Sequence, residues 1–162
     1  MYNHAPDNYI CPFCQVAQGI ENQFIHTKQS DIVYQDEYIT AFINAGFFEN
    51  NKGNVIIIPN DHYENIYDLP DDISAKIHKL EREVAIALKE VYQCDGVSSR
   101  QHNEPYGNQE VWHYHLHVFP RYKDDNLYSS GRVYSKPEER IKYADGLKEY
   151  FKNGKSRDHK SV

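Results

Sequence analysis

A chain of 162 residues suits one domain with a hydrophobic core of its own and needs no second. Its 18 basic and 24 acidic residues leave a formal charge of -6, which excludes a protein that coats nucleic acid but permits a local positive pocket for a small anion. No charged-then-apolar leader opens the chain, no apolar run approaches the roughly 18 residues of a membrane span, and the three cysteines make no disulfide framework, so a soluble, cytoplasmic protein is expected.

Residues 1 to 9 read as a loose arm. Cys11-Pro12-Phe13-Cys14 then opens a short helical turn that runs to Gln18 and stops at Gly19. A Cys-x-x-Cys is half of a zinc site, a redox pair or two inert thiols. Cys-Pro-Phe-Cys resembles a glutaredoxin active site, but that motif follows a β-strand, and Tyr2 to Ile10 is too polar and broken to be one.

Asp31 to Tyr34 and Tyr38 to Asn44 form a hairpin around Gln35-Asp36-Glu37, with Ile39, Ala41 and Ile43 sharing a face. Gly46 begins a loop. The β-branched run Val55-Ile56-Ile57-Ile58 is too apolar for an edge, so it reads as a central strand ended by Pro59. A lone loop histidine such as His62 is usually solvated, but beside a Cys-x-x-Cys it is a further donor of the kind Zn2+ takes in a tetrahedron.

Asp72 to about Cys94 is the clearest helix, with Ile73, Ile77, Leu80, Val84, Leu88 and Val91 at steps of three and four and Asp95-Gly96 as its stop. That stripe is core or dimer interface. Val97 to Arg100 is a strand leading to the loop from Gln101 to Gly107, and Tyr122 to Val133 fits no element. Ser135-Lys136-Pro137-Glu138 starts a helix of the capping-box type, with Ile141, Tyr143, Leu147, Tyr150 and Phe151 as its apolar side. The domain is expected over 1 to 152, including a C-terminal helix over about 135 to 152, with a disordered tail over 153 to 162.

Between these lies Val111 to Arg121, Val-Trp-His-Tyr-His-Leu-His-Val-Phe-Pro-Arg. As a strand ended by Pro120 it puts Val111, His113, His115, His117 and Phe119 on one face, and Trp112, Tyr114, Leu116 and Val118 on the other. Three imidazoles on one wall make a site for an anion, a metal or a nucleophile, since each ring can donate, accept or attack near neutral pH. His4, His26, His78, His102 and His159 have no partner at a defensible spacing and are expected in solvated or packing roles.

His113-Tyr-His-Leu-His-Val-Phe119 resembles the His-φ-His-φ-His-φ-φ motif of the histidine triad (HIT) superfamily of nucleotide hydrolases and transferases. Gln109-Glu110-Val111 stands where that family carries Gln-Ser/Thr-Val, and Gly53-Asn54-Val55-Ile56-Ile57-Ile58-Pro59-Asn60-Asp61-His62 resembles its Gly-His-x-Leu-Val-Ile-Pro-Lys-x-His segment. With the Cys-x-x-Cys, as in the Hint-like zinc-containing branch, the likeness covers about residues 9 to 122. It implies an α+β fold: an antiparallel sheet of about five strands with one long helix and a C-terminal helix. It also implies a homodimer.

The resemblance assigns roles as well. Structural Zn2+ would sit on Cys11, Cys14, His62 and His113. His115 would attack the α-phosphorus of a nucleoside phosphoramidate or dinucleoside polyphosphate, with a nucleotidyl-histidine intermediate, while His117 and Gln109 hold phosphate oxygens. Asn44 would bind the ribose, unless it only satisfies its own turn, and Asn103 matches a substrate-contacting asparagine loosely. Glu110 replaces a hydroxyl residue near the leaving group; its carboxylate either favours cationic amine leaving groups or points away. Competing readings are a nucleotidyl transferase, a non-catalytic nucleotide-binding module, and a thiol oxidoreductase through Cys11 and Cys14.

Overall fold

The computed structural model describes residues 2–154. Its main sheet has five antiparallel strands: β1 (Ile32–Gln35), β2 (Ile39–Ile43), β4 (Val55–Pro59), β5 (Gly96–Gln101) and β6 (Leu116–Arg121), in the order β1-β2-β4-β6-β5. The fold class is the expected α+β. The long helix α2 (Asp71–Tyr92) covers one face, while the short α1 (Pro12–Ala17) lies against the other.

Because side chains alternate across a strand, each strand feeds two cores. Ile39, Ala41, Ile43, Val55, Ile57, Leu116 and Val118 pack under α2 with Ile73, Ile77, Leu80, Val84 and Leu88. Phe42, Ile56 and Ile58 pack on the opposite face with Cys11, Phe13, Val16 and Ile25. Burial on both faces accounts for the unbroken apolar run of β4 at the centre of the sheet. The stripe of α2 is therefore core of its own domain.

Several boundaries differ from the expected ones. Gly46 does not start a loop: β3 (Gly46–Phe48) pairs with β7 (Arg132–Tyr134), which lies at the end of the stretch that fitted no element. Helix α2 stops at Gln93, which takes φ +54°, and Lys89 donates to the Cys94 carbonyl there, so Gly96 is free to open β5. Pro120 lies inside β6 rather than ending it. The segment from Val111 to His115 is outside the ladder, where the Tyr114 N–H donates to the Tyr63 carbonyl instead.

Helix α3 (Pro137–Gly154) starts with Glu139, not Glu138, accepting from the Lys136 N–H, while the Ser135 hydroxyl donates to the Ala45 carbonyl. Leu147 is buried as expected, but Ile141 stays exposed and Ala144 is buried in its place. Tyr143 packs onto Gly53, which at φ +80° leaves only 2.6 Å between an added Cβ and that ring. Asn153 and Gly154, expected in the disordered tail, are the last residues of the helix, and the rest of that tail from Lys155 on lies outside the described residues.

One ion pair pins α3 to the sheet. Arg140 and Asp31 have side chains 1% and 0% exposed, and their Nε–Oδ1 distance is 2.9 Å. Arg140 Nη1 also donates to the Ser135 carbonyl and Nη2 to the His26 carbonyl, while Asp31 accepts from the Lys28 N–H. Arg140→Ala should lower unfolding stability by about 3–5 kcal/mol in a urea titration, because it strands a buried carboxylate. A paired Asp31→Leu, Arg140→Leu change should cost clearly less than the alanine change alone.

The loop after β6 is held by Asp125, which accepts from Arg121 at 2.7 and 2.8 Å, from Asn51, and from the Tyr122 and Leu127 N–H groups. The Arg121 guanidinium first, then these donors, hold its carboxyl well below the ordinary 3.8. A depressed folded value contributes stability that is fully present above the ordinary one and is lost as pH falls below it. Acid titration of the melting temperature should show that loss below about pH 4, and Asp125→Asn should flatten it.

Candidate active site and metal centre

Two sulfurs and two imidazoles converge on the α1 side of the sheet. The donor atoms of Cys11, Cys14, His62 and His113 all lie within 4.8 Å of one another. Nδ1 of His113 is 3.3 Å from Cys11 Sγ and 3.5 Å from Cys14 Sγ, and Nδ1 of His62 is 3.3 Å from Cys14 Sγ. A tetrahedral ion bonded to sulfur at about 2.3 Å and to nitrogen at about 2.0 Å has S···N edges of about 3.5 Å, so the cluster is already the size of one coordination shell. Nε2 of His113 lies 3.0 Å from the Pro59 carbonyl, which fixes the tautomer that presents Nδ1 to the cluster. The Cys11 thiol is pulled well down, first by its hydrogen bond with Cys14 and then, against its burial, by His113. Both cysteines are free, and each sulfur faces an imidazole, which favours a metal over a redox role.

Two residues on, His115 opens onto a cavity of about 570 Å³ lined by Phe13, Ile25, Asn44, Arg100, His117 and Arg132 among others. Its Nδ1 is 2.7 Å from the His113 carbonyl, so the neutral ring donates there and keeps the Nε2 lone pair. His115 and His117 meet edge to face with ring centroids 5.1 Å apart, and Phe13, between the two cysteines, makes edge-to-face contacts with His115 and His113 at centroid distances of 5.3 and 6.0 Å. Burial drives the pKa of His115 down to about 4 and that of His117 well below its usual value, with the neighbouring His115 and Arg100 adding to the latter. Both rings are neutral nucleophiles or acceptors at pH 7. Three polar atoms here are buried without a protein partner among the described residues, His117 Nδ1, Asn44 Nδ2 and Arg100 Nε; the Asn44 Oδ1 accepts from the Gly46 N–H.

Comparison with known proteins bears on this site. A family model described as the HIT domain matches residues 26–124, which is more than half of the chain. The chain belongs to the HIT family. A HIT-like protein of Methanocaldococcus jannaschii is 31% identical over 116 residues, 72% of this chain and 82% of that one. Adenosine 5'-monophosphoramidase of Saccharomyces cerevisiae is 28% identical over 113 residues, 68% of this chain and 62% of that one. A zinc-bound histidine triad protein from Mycobacterium smegmatis has the same fold, with a TM-score of 0.69 and 23% identity over 86% of this chain and 91% of that one.

This HIT chain brings together His115, His117 and Asn44 in one cavity, but two other expected residues are engaged by the chain's own groups. Gln109 is buried, its Oε1 accepting from the Glu104 N–H and its Nε2 donating to the Glu64 and Val111 carbonyls, so no donor is left for a phosphate. Asn103 accepts from the Ile66 N–H and exchanges hydrogen bonds with Gln101, and it does not line the cavity. Glu110 neither points away nor waits for an amine: it lines the cavity mouth paired with Arg132 at 2.7 Å.

Other lining residues were missed in the sequence. Arg132 and Tyr134 come from β7, His26 stacks on Tyr134 at 4.1 Å, and His102, with Nδ1 2.6 Å from the Gly107 carbonyl, sits 6.3 Å from His117. Arg100 could have been found: as the fourth residue of a polar strand beside the triad it had no place in a core. Gln109→Ala should lower stability by about 1–3 kcal/mol, since it leaves three backbone groups without their partner. A guanidinium melt reads that loss, and an unchanged midpoint would return Gln109 to the role of a substrate donor.

Proposed function

We propose that this HIT chain is a zinc-containing nucleotide hydrolase that cleaves the bond between the α-phosphorus and the leaving group of nucleoside phosphoramidates or dinucleoside polyphosphates. The observation that carries the reading is His115: its ring is held through Nδ1 by the chain's own carbonyl while the Nε2 lone pair is free beside the cavity. The yeast phosphoramidase at 28% identity supports the same chemistry.

In this reading the nucleoside enters over Phe13, Ile25 and Asn44, and His117 meets the phosphate. The His115 Nε2 forms a bond to the α-phosphorus as the bond to the leaving group breaks, and the leaving group departs with the electron pair. Water then attacks phosphorus, the P–Nε2 bond breaks, and His115 is regenerated. The proton that water gives up is the one the leaving group gains, so the sum is hydrolysis to a nucleoside monophosphate. Much of the acceleration comes from holding rigid, dry imidazoles where charge moves. A transferase would use the same first step with another acceptor in place of water.

Zn2+ on Cys11, Cys14, His62 and His113 would be closed by four protein ligands, so it supplies rigidity and no open position for water. Zinc-binding energy on the order of 10 kcal/mol then becomes folding energy for the N-terminal arm.

Two measurements test the assignment. Wild-type protein mixed with an adenosine phosphoramidate and quenched in alkali, where a P–N bond to histidine survives, should carry an adenylyl adduct by intact mass, and His115→Ala should carry none while losing at least about 1,000-fold in kcat/KM. Turnover by His115→Ala within about tenfold of wild type would sink the covalent route. Elemental analysis should find one Zn2+ per chain, lost in Cys11→Ser together with a fall in melting temperature; a wild-type chain purified without metal and with unchanged stability would sink the structural-zinc reading.

A further inference from the structure

The cavity described above is not evenly charged. Its charged lining residues are Arg100, Glu110 and Arg132, besides histidines. Glu110 and Arg132 neutralise each other at 2.7 Å, which leaves Arg100 as the uncompensated charge. The Arg100 side chain forms no hydrogen bond or ion pair among the described residues, and its Nε is buried without a partner. Its guanidinium instead lies 4.7 Å from the centre of the Phe119 ring and 5.2 Å from that of Phe48. Aromatic faces attract the cation yet leave the N–H edge unspent.

Where Arg100 stands along the sheet says what it can meet. Its Cα is paired with that of His117 across the β5–β6 ladder, so both side chains project from the same face. Across that face the order runs from Asn44 at the end of β2, through Ile56 of β4 and His117 of β6, to Arg100 of β5. Neighbouring strands are about 4.8 Å apart. A substrate whose nucleoside lies at the β2 end and whose phosphorus lies at His115 and His117 extends its leaving group over β5.

We propose that Arg100 is the specificity-determining residue for the leaving group, selecting donors whose leaving group carries an oxyanion, carboxylate or phosphate, within about one strand spacing of the scissile bond. This rests on the hydrolase reading and refines it. It also reverses the preference for cationic amines that Glu110 suggests in the sequence, because the carboxylate of Glu110 is already occupied by Arg132.

A matched pair of substrates isolates the charge: adenosine 5'-phosphoramidates of glycine and of glycinamide, which share the leaving nitrogen and differ by one carboxylate. Wild-type kcat/KM should favour the glycine conjugate by about tenfold or more, the yield of one charge-assisted hydrogen bond. Arg100→Gln should bring the ratio close to one by losing activity on the glycine conjugate alone, and Arg100→Lys should keep part of the preference because it keeps the charge. Diadenosine triphosphate is the third arm. An equal loss on it in Arg100→Gln extends the selection to phosphate, and a loss confined to the glycine conjugate assigns carboxylate; both support the proposal. Equal losses on both conjugates, or a ratio that Arg100→Gln leaves untouched, would overturn it. If wild type turned over none of the three substrates, the hydrolase reading itself would fall, and this inference with it.

Discussion

His113 makes three contacts that the rest of the site depends on. Its Nδ1 faces the two thiols, its Nε2 is held at the Pro59 carbonyl, and its own carbonyl holds Nδ1 of His115. The last contact requires a carbonyl that no neighbouring strand has claimed. Had the β-ladder continued upstream of Leu116, the backbone groups there would have been spent on sheet partners. Pulling residues 111 to 115 off the ladder therefore does two things at once: it carries His113 to the cysteines and it frees the acceptor that orients His115. Phe13 locks the arrangement from the other side, since the Cys-x-x-Cys spacing brings its ring into edge-to-face contact with both imidazoles. Any ligand that tightens the cluster tightens the seat of His115 through one residue.

Burial then decides which groups in the cavity carry charge. The two inner imidazoles are pushed toward the neutral form by desolvation, and His117 further by the neighbouring His115 and Arg100, whereas the half-buried Arg100 keeps its charge because a guanidinium starts so far above neutral pH. Charge for an anionic substrate thus comes from the rim strands and not from the triad. That division suits the proposed chemistry, because a protonated imidazole cannot attack and a neutral rim cannot attract phosphate across a chain whose net charge is -6.

Legibility followed periodicity. The β-branched run of β4, the three- and four-residue steps of α2 and the alternation through Leu116 and Val118 each bury an apolar face, so the pattern alone placed them. The triad's common face was readable for the same reason, although its strand starts five residues later than the alternation suggests. What escaped the sequence is set by pairings between distant polar segments. β3 and β7 are three residues each, with β7 fully exposed, so neither shows a pattern, yet together they deliver Arg132 and Tyr134. Gln109 and Asn103 failed differently: a side-chain amide serves a backbone as well as it serves a phosphate, and only the surroundings of each one show which.

Helix α3 lies beyond residues 26–124, the span that the HIT family model matches, and still it braces the site from outside. Ser135, just ahead of it, donates through both its hydroxyl and its N–H to the Ala45 carbonyl, next to the ribose-binding candidate Asn44. Arg140 reaches from the first turns of the helix to the His26 carbonyl, and the His26 ring stacks on Tyr134 at the cavity mouth. The buried Arg140–Asp31 pair is costly to desolvate and would add little stability over an apolar pair of the same shape. Its directional bonds, however, fix where β7 leaves the sheet and where His26 and Asn44 stand. An apolar contact could hold the helix as firmly, but it would not set the register of the strand that brings Arg132 to Glu110.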